Sequence, residues 1–131
     1  MDEQELKERF RQYSIRIVRM VDSIPTKRIA ALAIAKQVIR SGTSPSANYR
    51  AACVAKSKRD FLNKLKIVEE ELDETRYWLE LMVDTDIFPK EKLDSLIQET
   101  IELLNIIVKS IVSTRYYLSQ HPELKALIAK L

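Results

Sequence analysis

The chain has 131 residues, 46% hydrophobic and 31% charged, with one glycine, four prolines, one cysteine and a formal net charge of +3. That length supports a core in one domain without disulfide or metal staples, and so little glycine and proline leaves few tight turns for an all-β fold. Cys53 has no partner for an internal disulfide, the start MDEQELKERF is too charged for a secretory leader, and the longest apolar run, residues 29–35, is too short to span a bilayer; a cytoplasmic protein without a membrane anchor is expected.

Residues 3–23 read as the first helix. Leu6, Phe10, Tyr13, Ile17 and Met20 recur at spacings of four, three, four and three, which lines one helical face. Ile24-Pro25-Thr26 breaks it, because proline has no N–H to donate and disfavours helix at the residue before it. Thr26 suits a cap for the next helix. The second helix is expected over 27–55, with Leu32, Ile34, Val38 and Ile39 as its apolar residues. At Ser41-Gly42-Thr43-Ser44-Pro45 the pattern is disturbed. A loop between two short helices and a kink at 41–45 inside one long helix both fit. Ser44 and Pro45 suit an N-cap and first-turn pair that restarts the helix at once, which favours the kink. Ala47, Tyr49, Ala51, Ala52 and Ala55 follow, mostly small residues that let another helix approach.

Lys56-Ser57-Lys58 forms the next corner, with Ser57 and Asp60 at capping-box spacing. The third helix, 57–84, carries Phe61, Leu65, Val68, Leu72, Thr75, Leu79 and Met82 in unbroken alternation of four and three. Ile67, Trp78 and Leu81 lie on another face. After a turn at Asp86-Ile87-Phe88-Pro89, the fourth helix is expected over 90–119. Its stripe is Leu93, Ile97, Thr100, Leu104, Ile107, Ile111, Thr114 and Leu118, with Leu103, Ile106, Val108 and Val112 outside it. His121-Pro122 ends it, and the tail from Glu123 onward reads as a loose extra turn. Short links between four helices imply an all-α fold, an antiparallel up-down four-helix bundle with a kinked second helix, as one domain over 1–131. A monomer needs one apolar stripe per helix. The surplus on helices three and four points to a homo-oligomer interface, with Ile67, Trp78, Leu81, Leu103 and Ile106 as its candidates. Scattered surface leucines are the plainer alternative.

Catalysis is not expected. Cys53 sits among alanines with no histidine near it, as a small packing residue would. The acids of residues 69–74 invite a di-metal reading, but that site uses Glu-x-x-His pairs, and the only histidine is His121. One glycine excludes a glycine-rich phosphate loop. No cofactor and no metal are expected.

The charge is unevenly spread. Residues 7–66 hold fifteen Lys or Arg against three acids, whereas residues 69–131 hold thirteen acids against seven bases. Arg40, Arg50, Lys56, Lys58, Arg59, Lys64 and Lys66 have only Asp60 among them, and the corner would gather several at one end of the bundle. Phosphate binding needs this density. Only Tyr49 and Phe61 interleave with it, so base stacking is not indicated and sequence preference should be weak. From charge alone, a solvated basic end, or one that meets the acids of residues 69–74 on a neighbouring subunit, is the simpler reading.

The stretch SGTSPSANYRAACVAKSKRDFLNKLKIVEEELDETRYWLEL resembles the signature of the four-helix-bundle proteins encoded within 23S rRNA intervening sequences. The features that carry the resemblance are Thr43-Ser44, Ala47-Asn48-Tyr49-Arg50, the Lys-Ser-Lys corner, Phe61, Lys64-Leu65, Glu69 to Glu71, Asp73-Glu74-Thr75 and Tyr77-Trp78-Leu79-Glu80-Leu81. Pro45 and Val54 depart from the pattern, where a small or aliphatic and a basic residue are usual; the second departure removes a charge from the basic end. The resemblance implies a homo-oligomer, a pentameric ring, with a role on RNA or DNA. The family is similar to the accessory variability protein of diversity-generating retroelements, a pentameric bundle that associates with a reverse transcriptase and nucleic acid. Two functions follow: a nucleic-acid-binding ring, or an accessory subunit that docks onto a reverse transcriptase.

Overall fold

The computed structural model describes residues 1–123, and the expected extra turn of the tail lies beyond them. Helix α1 (Glu3–Asp22) starts on a capping box that the sequence reading missed. The Glu5 N–H donates to Asp2 Oδ1 at 2.8 Å, and the Asp2 N–H donates to Glu5 Oε2 at 3.2 Å. Two donors with no intrahelical partner are thereby satisfied. Leu6, Phe10, Tyr13, Ile17 and Met20 are all buried, as their spacing required.

Helix α2 (Ile29–Cys53) begins two residues later than expected, with Arg28 at the N-cap in place of Thr26. Residues 26 and 27 are taken up by the turn, and the Arg28 guanidinium donates to the Thr85 carbonyl at 3.1 Å. The helix runs unbroken through residues 41–45, so Ser44 does not restart it and Pro45 lies inside it. Packing explains the continuity. Ser41, Gly42 and Pro45, which interrupted the apolar pattern, are the buried face of α2. A Cβ on Gly42 would stand 2.7 Å from Cγ2 of Ile17, so only glycine lets α1 come this close. The Ser41 hydroxyl lies 2.8 Å from that of Thr75.

Helix α3 (Lys58–Asp84) is capped by Ser57, whose hydroxyl accepts the Asp60 N–H at 3.0 Å. The Asp60 carboxylate reaches back to the Lys56 N–H at 3.4 Å, so the capping box is only half formed. Leu65, Val68, Leu72, Thr75, Leu79 and Met82 are buried. The helix ends in a Schellman motif: Ile87 N–H donates to the Met82 carbonyl at 2.9 Å and Asp86 N–H to the Val83 carbonyl at 3.1 Å. Asp86 takes the left-handed position at φ 59, which a short polar side chain tolerates. Ile87 and Phe88 fold into the core behind it.

Helix α4 (Lys90–Gln120) buries Leu93, Leu96, Thr100, Leu103, Ile107, Ile111 and Thr114. Leu96 and Leu103 thus take the places expected for Ile97 and Leu104, which are only partly buried. The cause is that α4 faces α1 as well as α3, with Thr100 held 2.7 Å from the Tyr13 hydroxyl. Leu103 is therefore a core residue and not an oligomer contact. Consecutive helices pack on one another and α4 returns to α1, which makes a four-helix bundle. A forked ion pair, Arg9 Nε to Glu99 at 2.9 Å and Nη2 to Glu99 at 2.5 Å, ties α1 to α4. Among the described residues no helix is long and apolar enough to cross a membrane.

Candidate nucleic-acid interface

The turn from α2 into α3 is an exposed corner of the bundle. Val54 is 77% exposed there, in keeping with a short link that no neighbour covers. Beside it a shallow cavity of about 250 Å³ is lined by Glu3, Cys53, Ala55, Lys56, Lys58 and Phe61. Lys58 Nζ stands 5.6 Å from the Phe61 ring centroid and 5.2 Å from that of Tyr117. The last turns of α4 therefore join this end, as does the first turn of α1 through Glu3.

Of the expected basic residues, Arg50, Lys56, Lys58, Arg59 and Lys66 are exposed and Lys64 is half-buried. Among the described residues, Arg50, Lys56, Lys58, Lys64 and Lys66 make no ion pair. Arg40 does not belong with them. Its guanidinium donates to both oxygens of Glu71, at 2.9 and 3.2 Å, and to Glu74. Arg40 is thus neutralised along the α2–α3 seam. Glu69, Glu70 and Asp73 line the groove between α3 and α4 with Leu104 and Val108. The acidic run of α3 at residues 69–74 thus lies away from the corner. The acids at the corner are Asp60, whose carboxylate accepts from the Lys56 backbone N–H at 3.4 Å, and Glu3 of α1, which lines the cavity and pairs with Lys7 at 3.5 Å.

The aromatic residues differ from expectation. Tyr49 is buried and stacks on Phe10 with centroids 5.1 Å apart; burial pushes its phenol up, out of the titrating range. Exposed rings come instead from α4. Tyr116 is 67% exposed, and Tyr117 meets the ring of His121 at 4.3 Å. The Tyr116-Tyr117 pair is plain in the sequence, but only the fold brings Tyr117 to Lys58. Burial, then a hydrogen bond to Glu3, pushes the Cys53 thiol up, so it is held as the unreactive thiol. Among the described residues no three His, Cys, Asp or Glu side chains converge on a point that could hold a metal ion.

Two further features lie away from the corner. Arg16, Arg19 and Lys92 surround a cavity of about 290 Å³ floored by Met20, Leu93 and Leu96. Its residues sit on α1 and α4, and nothing in the sequence links them. The expected oligomer residues divide: Ile67 is exposed, Trp78, Leu81 and Ile106 are partly buried, and Leu103 is in the core. The Trp78 indole N–H is buried without a hydrogen-bond partner, next to a Tyr77 ring that is largely exposed.

The model of the 23S rRNA-intervening sequence protein family matches residues 2–109. Among solved structures, the chain is similar to a protein of unknown function from the S23 ribosomal protein family of Bacteroides thetaiotaomicron VPI-5482, a crystal structure at 1.70 Å resolution. The two share 32% sequence identity over 85% of this chain and 98% of the other, with a TM-score of 0.76. No curated protein matches the chain.

Proposed function

The chain belongs to the 23S rRNA-intervening sequence protein family, and from that premise we propose that it is a non-catalytic, homo-oligomeric protein that binds RNA or DNA through phosphates at the α2–α3 corner. The observation that carries the reading is the company the charges keep. Arg40 is neutralised by Glu71 and Glu74, whereas Lys56 and Lys58 are exposed at the corner and, among the described residues, their ammonium groups make no ion pair. Desolvated self-pairing would have consumed this charge; a phosphate chain uses it by releasing counterions.

The assembly belongs to the same reading. We take the helices to run up-down-up-down, supported by Phe10 meeting Tyr49 while Ile17 meets Gly42. We also take α2 to bend near residue 45, because Pro45 has no N–H for the preceding turn. The oligomer is a pentameric ring. Exposed Ile67, Tyr77, Val108 and Val112 support self-association, since such apolar surface on α3 and α4 exceeds what a monomeric bundle needs. A ring repeats the corner around its axis, so modest attraction at one subunit becomes multivalent.

Binding of labelled RNA and DNA duplexes of unrelated sequence, followed as salt is raised, tests this reading. Affinity is expected to fall with a log–log slope of about −0.9 per duplex phosphate neutralised, equally for each sequence. Binding that ignores salt, or that selects one sequence, would overturn it. Light scattering in the same buffer is expected to give a pentamer mass, and a monomer mass would remove the ring.

A further inference from the structure

The cavity between the end of α1 and the start of α4 lies at the other end of the bundle from the corner, and phosphate binding at the corner leaves it without a role. We infer that it is a separate anion site that takes a phosphomonoester, a terminal phosphate on a short, non-aromatic body. The inference does not rest on the corner: Lys92, in the first turn of α4, and Tyr117, which meets Lys58, are about 37 Å apart along the helix. Arg16, Arg19 and Lys92 line the cavity above Met20, Leu93 and Leu96, and no acid lines it. Among the described residues none of the three cations makes an ion pair. Arg16 Nη2 donates to Ser95 Oγ at 2.9 Å, which ties the guanidinium to α4 and leaves the rest of its fork to donate. Glu99, one turn beyond Ser95, is already taken by Arg9.

Three cations from two helices narrow the class of ligand. A carboxylate offers two oxygens in one plane, and a phosphodiester two free oxygens and a single charge. A phosphomonoester offers three terminal oxygens and about −1.5 to −2 of charge at neutral pH, which suits three separate donors. The floor is aliphatic and no ring lines the cavity, so an organic body finds apolar contact there and a base finds no stacking partner. Ser23, also in the lining, spends its hydroxyl proton on the Met20 carbonyl at 2.7 Å, so its oxygen is left to accept from a hydroxyl of the body. A volume of about 290 Å³ is at the small end of ligand sites, which limits the body to the size of a glycerol or a single sugar. Two sources carry the same group, a free small molecule and the phosphorylated 5′ end of a strand.

Calorimetric titration of the full chain with glycerol 3-phosphate, inorganic phosphate and glycerol tests the inference. Expected is tighter binding of glycerol 3-phosphate than of inorganic phosphate, no binding of glycerol, and a loss of about ten-fold in Arg19→Gln and in Lys92→Gln. Both side chains are exposed, so neither change disturbs the core. The corner variant Lys56→Glu, Lys58→Glu should bind glycerol 3-phosphate as the parent does. Trinucleotides with a 5′-phosphate or a 5′-hydroxyl, titrated into that corner variant, identify the source: a 5′-phosphorylated strand that binds more tightly than glycerol 3-phosphate assigns the site to a strand end, and one that binds more weakly assigns it to a small molecule. Equal affinity for the two phosphates overturns the role of the floor. If neither phosphate binds, or if the Arg19→Gln, Lys92→Gln double variant binds them as the parent does, the site is overturned while salt-sensitive binding at the corner stands. Loss of glycerol 3-phosphate in the corner variant alone would place the ligand at the corner and overturn the cavity equally.

Discussion

Helix α2 carries positive charge at two places that behave oppositely. At its waist, Arg40 is neutralised by Glu71 and Glu74, Ser41 is bonded to Thr75, and Gly42 is pressed on Ile17. Arg40 and Ser41 have their partners inside the chain, and the helices are as close as glycine permits. At its end, the chain turns through Val54 and Lys56 into Lys58 with those side chains in water. The waist holds the bundle together, and the corner presents charge that the bundle does not need. A chain's charge distribution therefore says little about binding until the internal pairs are removed from it.

The largest effect should follow from breaking the waist. Gly42→Val places branched carbon against a fully buried Ile17, and it should lower stability by about 3 kcal/mol, the upper end of overpacking costs. Denaturant unfolding measures it, and Ile17→Ala in the same chain should recover part of the loss. A Gly42→Val chain as stable as the parent would mean that the waist is not tight.

The α1–α4 seam extends the comparison to pH. The Arg9 guanidinium, by its hydrogen bonds, holds the Glu99 carboxyl below its ordinary value, although burial opposes this. A carboxylate with a depressed folded pKa contributes stability that is present above its unfolded pKa and is lost as pH falls through the folded one. The parent should therefore lose stability on acidification through that window. Glu99→Gln should be less stable by about 1–2 kcal/mol at neutral pH and should show a shallower acid loss. Parallel thermal melts decide, and identical pH profiles would contradict the pair's role. Smaller still is Arg40→Gln: the side chain is 51% exposed, so its pairs are worth at most about 1 kcal/mol.

Large apolar residues at strict spacing made α1 and α3 legible from sequence. The stripe of Leu6 to Met20 is buried throughout, and that of Phe61 to Met82 is buried from Leu65 onward, with Phe61 only partly buried at the helix start. The centre of α2 was not legible, because its buried face is Ser41, Gly42 and Pro45, residues chosen for closeness rather than for hydrophobicity. In α4 the doublets Leu96-Ile97 and Leu103-Leu104 are apolar at both positions, so periodicity could not set the rotation; contact with Tyr13 through Thr100 did. The basic run of the candidate site was visible as composition. Which of its members pair internally was not, since Arg40 meets Glu71 and Glu74 only after α2 and α3 are packed. Tyr117 likewise reaches the corner through the fold alone.

The central claim is that charge at the corner faces a phosphate chain while charge at the waist faces the protein. The direct measurement is binding of labelled RNA and DNA across a salt series by three forms: the parent, the triple variant Lys56→Glu, Lys58→Glu, Arg59→Glu, and Arg40→Gln. The triple variant should fold as the parent does, bind far more weakly at low salt and show a flatter salt slope, whereas Arg40→Gln should bind as the parent does. A triple variant that binds both nucleic acids as well as the parent at low salt, or an Arg40→Gln variant that loses as much as the triple, would contradict the account.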